Sequence, residues 1–280
     1  MEDYITIEDT IIYSSYYNKP NNEDYITNQD TIIFSPYYNK SINVDLLSSY
    51  NKIIFSNYPL IYDLFDKYLN EDLNYLTYYN SLFNQPIVLH KNITHLTFGH
   101  DFNQLIKLPP NITHLTFGRN FNKPIELSES LTHLTFCYCF NKPVELPKKK
   151  ITHLTFGFSF NQPIVLPENL THLTFGTLFN QPVVLPEKIT HLTFGWNFNQ
   201  KVDLPFGIKY LKLEHDNSHN LDYLPEGIEV LELGRHFDSS LDNLPNSLLV
   251  IKLYKKKKYT DSLKCIHPNT KVEYYKNNDC

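Results

Sequence analysis

At 280 residues with 41% hydrophobic side chains, the chain can bury a continuous core, which excludes a disordered polymer. A formal charge of −5, from 25 Lys and Arg against 30 Asp and Glu, excludes the broad basic face that nucleic-acid phosphates require. No stretch approaches the roughly 20 apolar residues of a membrane span and the opening MEDYITIEDT has no apolar targeting core, so the expectation is a cytoplasmic protein with no membrane or nucleic-acid partner.

Residues 1–43 hold a near duplication, EDYITIEDTIIYSSYYNKP over 2–20 and EDYITNQDTIIFSPYYNKS over 23–41, offset by 21 residues. YITI and DTII are short β-prone runs between Asn-rich and Pro-containing turns, compatible with a β-rich decoration, a hairpin pair or a partly ordered tail. Residues 44–82 read as a helical cap. Within them PLIYDLFDKYLNEDLNYL, 59–76, spaces Leu60, Leu64, Phe65, Tyr68 and Leu69 as one helical face.

Residues 83–254 are tandem repeats. THLTF begins at Thr94, Thr113, Thr132, Thr152, Thr171 and Thr190, a period of 19 with a single step of 20; IKYLKL, IEVLEL and LLVIKL follow from Ile208, Ile228 and Leu248, making nine copies. In I-x-x-L-x-F the alternation predicts a strand with Leu96 and Phe98 on a buried face and His95 and Thr97 on a polar one. The second element, FNQPIVLP or a variant, recurs from Phe83, Phe102, Phe121, Phe140, Phe160, Phe179 and Phe198. Its proline, as at Pro86, Pro124, Pro143, Pro163 and Pro182, would break a hydrogen-bonded ladder, so this side is expected to be extended or turn-like. The L-P pairs at Pro109, Pro147, Pro167, Pro186, Pro205, Pro225 and Pro245 mark a return bend. Nineteen residues suffice for two extended edges and two corners, and such a coil is stable only when stacked on its neighbours. The fold class is a β-rich solenoid of leucine-rich-repeat-like coils with a parallel sheet, capped by the helical or irregular N-terminal segment. Asn103, Asn122, Asn141, Asn161, Asn180 and Asn199 recur beside the core Phe, where a column of amides can satisfy backbone groups of the adjacent bend. Residues 255–280, from the run Lys255–Lys258 onward, read as a basic and then polar tail.

FNQPI at Phe83, FNKPI at Phe121, FNQPI at Phe160 and LPENLTHLTFG at Leu166 resemble the FNIP repeats known from social amoebae and giant DNA viruses. The strand pattern is also similar to leucine-rich repeats. The resemblance implies a parallel sheet on a concave side, a curved right-handed coil and, for a viral protein, the host cytoplasm. Departures are Leu105 and Lys201 at the motif's proline, Cys137 at the glycine that closes the strand elsewhere, and three diverged last coils. Such proteins often carry an F-box before the repeats, which implies substrate capture for a ubiquitin ligase through a Skp-type subunit. In 59–76 the YL and DL pairs resemble that motif with a shorter gap and with Tyr58 where the leading leucine would stand.

The expected function is non-catalytic protein binding, to an unknown protein partner, on the polar face of His95, His114, His133, His153, His172 and His191 with Thr97, Thr116, Thr135, Thr155, Thr174 and Thr193. The alternatives are the ubiquitin-ligase adaptor and a metal- or pH-responsive histidine column. No resident metal or cofactor is expected, because a flat row of imidazoles offers ligands mostly two at a time. The threonines flanking each histidine, such as Thr94, are read as what β-propensity alone favours. The single C-x-C, Cys137 and Cys139, lacks the second pair of a zinc site, four cysteines make no disulfide framework, and no phosphate loop, G-x-S-x-G or H-E-x-x-H is present.

Overall fold

The computed structural model describes residues 4–7, 10–13, 25–28, 31–34, 41–42, 44–55, 82–214, 224–234, 241, 244–254 and 266–275. The chain divides into two compact units, Met1–Phe140 and Asn141–Cys280. In the first, β1 (Tyr4–Ile7) and β2 (Thr10–Tyr13) form an antiparallel pair, as do β3 (Tyr25–Asn28) and β4 (Thr31–Phe34). A one-turn helix α1 (Val44–Leu47) precedes β5 (Lys52–Phe55), followed by β6 (His95–Thr97), β7 (His114–Phe117) and β8 (His133–Phe136). β4 to β8 pair in parallel, each with the next. The second unit stacks β9 (His153–Phe156), β10 (His172–Thr174), β11 (His191–Phe194), β12 (Tyr210–Leu213), β13 (Val230–Leu233), β14 (Val250–Tyr254) and β15 (Lys271–Tyr275), all parallel. Both units are β-solenoids, one strand per coil. Among the described residues no helix is long and apolar enough to cross a membrane.

Alternation within HLTF sets the coil. Ile112, Leu115, Phe117 and Phe121 are fully buried in one coil, and Leu170, Leu173, Phe175 and Phe179 hold the same places in another. Within a coil the two phenylalanines face each other, Phe117 to Phe121 at 3.8 Å and Phe175 to Phe179 at 3.7 Å between ring centroids. Between coils each ring meets its own equivalent, Phe98 to Phe117 at 5.6 Å and Phe175 to Phe194 at 5.9 Å. Near-parallel rings at such distances contribute roughly 0.5–1.5 kcal/mol per pair beyond area burial.

Opposite the strands the FNxPI segment is extended and pairs through side chains, as its prolines require. Asn122 and Asn180 donate their backbone N–H groups to the Oδ1 of Asn103 (3.0 Å) and Asn161 (2.9 Å) one coil earlier. Gln181 and Gln200 add Nε2 donors to the amide oxygens of Asn161 (3.2 Å) and Asn180 (3.1 Å). The asparagine column thus does the backbone-satisfying work that its recurrence suggests. The L-P bend closes by an N–H donated three residues on, as from Leu170 to the Pro167 carbonyl (3.2 Å) and from Ile189 to that of Pro186 (3.2 Å).

Three boundaries differ from the sequence reading. β4 and β5 belong to the parallel stack, although they fall in 1–43 and 44–82, segments read outside the solenoid; of the three readings of 1–43, the hairpin pair matches β1–β2 and β3–β4. Ile32, Phe34, Ile53 and Phe55 are fully buried, and Phe34 stacks on Phe55 (5.1 Å) and Phe55 on Phe98 (5.5 Å). Phe83 stacks on Phe55 at 4.1 Å as Phe102 does on Phe98, so Phe83 completes the coil that β5 begins and 56–81 is an insertion within that coil. The F-box-like and helical readings of 59–76 lie outside the described residues. At the other end β15 extends the sheet into the segment read as a tail, over the register Val250↔Lys271 to Tyr254↔Tyr275.

After several strands, at Gly118, Gly176, Gly195 and Gly234, glycine is required by close approach. A Cβ built at Gly118 would lie inside the carbonyl of Gly99, and one at Gly195 inside that of Gly176. At Gly207, by contrast, the nearest atom to a built Cβ is the Glu187 carbonyl oxygen at 3.5 Å. Gly118→Ala and Gly195→Ala should therefore each destabilise by about 1–3 kcal/mol, as overpacking against backbone does, while Gly207→Ala stays within about 0.5 kcal/mol of wild type. Chemical denaturation of the three variants checks this. Asn161→Ala should likewise cost about 1–3 kcal/mol by orphaning the Asn180 N–H, with Asn161→Asp, which keeps the acceptor, nearer wild type in the same assay.

Candidate functional site: the outward strand face

The pleat that buries Leu and Phe sends the residues between them outward. In the first unit the outward row is His95, His114, His133 beside Thr97, Thr116, Thr135; in the second it is His153, His172, His191 beside Thr155, Thr174, Thr193. The threonines are half-buried, as are the histidines apart from the exposed His191. Adjacent imidazoles stack, His95 on His114 at 4.2 Å, His114 on His133 at 4.1 Å, His153 on His172 at 4.1 Å and His172 on His191 at 4.2 Å, with planes 10–13° apart.

The threonine before each histidine does more than β-propensity demands, which corrects the reading of these residues as passive. Oγ1 of Thr113, Thr132, Thr171 and Thr190 donates to the carbonyl of Thr94 (3.1 Å), Thr113 (3.1 Å), Thr152 (3.0 Å) and Thr171 (3.2 Å), one coil earlier. The same oxygens lie 2.9 Å from Nδ1 of His114, His133, His172 and His191. Each hydroxyl thereby engages Nδ1 of the ring that follows it and leaves Nε2 as the outward nitrogen. Each unit thus presents a row of imidazole nitrogens beside hydroxyls, held on backbone that two ladders fix.

Because the stacked ring planes are nearly parallel, the outward Nε2 atoms run side by side without converging. Among the described residues no group of three or more His, Cys, Asp or Glu is disposed to hold a metal ion. Cys137, at a glycine position, is half-buried and burial pushes its thiol up, away from the reactive thiolate.

Toward the C-terminus of the second unit the face changes chemistry. The histidine row gives way to Tyr210, whose hydroxyl donates to Glu232 at 2.9 Å. The threonine row becomes Lys212, Glu232, Lys252 and Glu273. Lys212 Nζ sits 2.7 Å from Glu214 and 3.0 Å from Glu232. Its partial burial opposes the charge, but bonds to Glu214 and Glu232 outweigh that and hold the ammonium well above its usual range. Sequence reasoning treated these coils as worn copies; the alternating K-E-K at one position of IKYLKL, IEVLEL and LLVIKL was the readable signal.

The coils just described define a β-solenoid of the leucine-rich-repeat kind. Residues 83–216 are FNIP repeats: the FNIP Repeat model matches at 83–120, 102–139, 140–178, 160–184 and 179–216. A solved structure from a giant virus, described as CroV588, a novel circular LRR protein, is similar at 32% identity and a TM-score of 0.61, covering 86% of this chain. The chain spans 39% of the length of that protein. No curated protein matches.

His172 titrates below the usual 6.5, first because of burial and then because of the charges His153 and His191 would carry. In the interval between its native value and 6.5 the unfolded chain binds a proton that the native face refuses, so stability falls as pH falls through it; above 6.5 both states are neutral and the difference vanishes. Denaturation midpoints should drop between about pH 7.5 and 5.5, and His172→Gln should flatten that slope, urea titrations at the two pH values being the measurement.

Proposed function

We propose that the chain is a non-catalytic repeat scaffold and that its outward strand face binds another protein. The observation that carries this is the stacked histidine row with Nδ1 engaged by threonine hydroxyls: outward nitrogens and hydroxyls stand in fixed rows, ready to meet the polar groups of a partner without reordering. Pre-organisation of this sort lowers the entropy cost of association. The Lys–Glu ladder adds a charged register mark at one end. The FNIP repeats and the leucine-rich-repeat likeness support a scaffold role at the level of the fold.

Proximity labelling with the full chain in its native cell tests the reading. A His114→Glu, Thr116→Arg variant should lose its strongest labelled proteins, whereas Glu126→Lys, exposed on the FNxPI side, should keep them, both variants retaining the wild-type melting temperature. Equal labelling by both variants would remove the strand face from consideration.

A further inference from the structure

In the second unit the FNxPI segments turn alternate residues away from the core. The asparagine column holds four of these segments in register, with the N–H groups of Asn161, Asn180 and Asn199 donating to Asn141 (3.0 Å), Asn161 (2.9 Å) and Asn180 (2.8 Å). The outward residues therefore form two neighbouring columns, Pro143, Pro163, Pro182 and Lys201 beside Glu145, Val165, Val184 and Asp203. All of them are exposed, Val165 and Val184 at 87% and 88%, whereas Ile164, Val183 and Val202 between the columns are half-buried or buried. The two middle coils thus present a block of two prolines and two valines, and the coil that follows sets a lysine beside an aspartate. Among the described residues neither Lys201 nor Asp203 has an ionic partner.

An apolar block of this kind is suited to association. Valine is stiff at χ1 and proline has no rotamer freedom to lose, so covering them costs little ordering. The prolines withhold the N–H groups that strand pairing would need, so contact with another chain is made face to face through side chains. In the first unit the second of these columns carries Lys107 and Glu126, and no such block forms.

The pattern is its own complement. Two copies laid face to face about a two-fold axis along the stacking direction set each column against the other. Pro163 then meets the partner's Val165, Pro182 meets the partner's Val184, and Lys201 meets the partner's Asp203, each contact made twice by symmetry. An axis lying along the segments instead would bring Glu145 against Asp203 at both ends, carboxylate on carboxylate. We propose that this block is the interface of a homodimer, joined back to back through the FNxPI side of the second unit. Four small side chains cover less than the roughly 800 Å² per partner of a standard interface, so the dimer is of the weak, exchanging kind. The strand face lies on the other side of each coil, and the dimer neither covers it nor depends on it.

Sedimentation equilibrium of the full chain at about 1–200 μM, where small interfaces associate, should show monomer and dimer in exchange. Val184→Glu should remove the dimer. Asp203→Lys, which sets lysine against lysine at two places, should weaken it about three- to tenfold, and adding Lys201→Asp should recover most of that loss. Because the altered side chains are exposed, every variant should keep the wild-type melting temperature. The proposal is overturned if the chain stays monomeric throughout, if Val184→Glu dimerises as well as wild type, or if the double exchange dimerises no better than Asp203→Lys alone.

Discussion

Each coil lies on a near copy of itself in register, so almost every lateral contact is a residue against its own equivalent. Leu115 faces Leu96 and Leu134, Phe175 faces Phe194, and the Asn161 side chain receives the N–H of Asn180. This like-on-like constraint decides which residues a column can hold. A phenylalanine is complementary to another at a ring offset, and an amide both donates and accepts. A threonine hydroxyl can pass its hydrogen down to the preceding carbonyl and still accept from a neighbour. A fixed like charge cannot be repeated at one strand spacing without repulsion. Where the threonine column carries charge it accordingly alternates, Lys212, Glu232, Lys252 and Glu273 in consecutive strands.

Histidine meets the same constraint as a ring stacked on its equivalent, with the threonine before it holding Nδ1. The hydroxyl, the imidazole and the carbonyl one coil earlier are a single unit, copied with the backbone. The rows of nitrogens and hydroxyls on the strand face therefore follow from the fold's own lateral bonding, and a partner meets them as a finished surface. At His172 the same stacking makes the face sensitive to acid, since burial and then the charges His153 and His191 would carry hold its titration below the usual range.

Much of this was legible in the sequence because repetition is itself the signal. The period, the buried Leu and Phe positions, the proline bends and the asparagine column all follow from residues that recur at fixed offsets. What stayed hidden lacked recurrence. β4 and β5 read as TIIF and KIIF, with Ile33 and Ile54 where THLTF has its outward Thr, so the alternation is masked, and Phe83 is separated in sequence from its own strand by 56–81. β15, KVEYY, has no Leu or Phe at the core positions. The Thr–His pairing needed geometry, since it is seen only once the hydroxyl is placed between the carbonyl one coil earlier and Nδ1.

Repetition also separates structure from use. Where a position touches the next coil, its identity is dictated by its own copy, and Gly118 against Gly99 shows how little latitude backbone contact leaves. The corner after that glycine is less bound by this dictation, because the ladder that recurs there runs through backbone atoms, Asn120 N–H to the His100 carbonyl and Cys139 N–H to that of Arg119, while side-chain contacts such as Asn120 Nδ2 to Asp101 Oδ1 (3.0 Å) are particular to one pair of coils. Any side chain can stand on such a rung, and each coil has taken a different one. Arg119 over the Tyr138 ring, 4.6 Å from its centroid, and Trp196 beside its asparagines are products of that freedom. Columns bound by lateral contact make the array rigid and uniform, and only positions released from it can make one coil chemically distinct from the next.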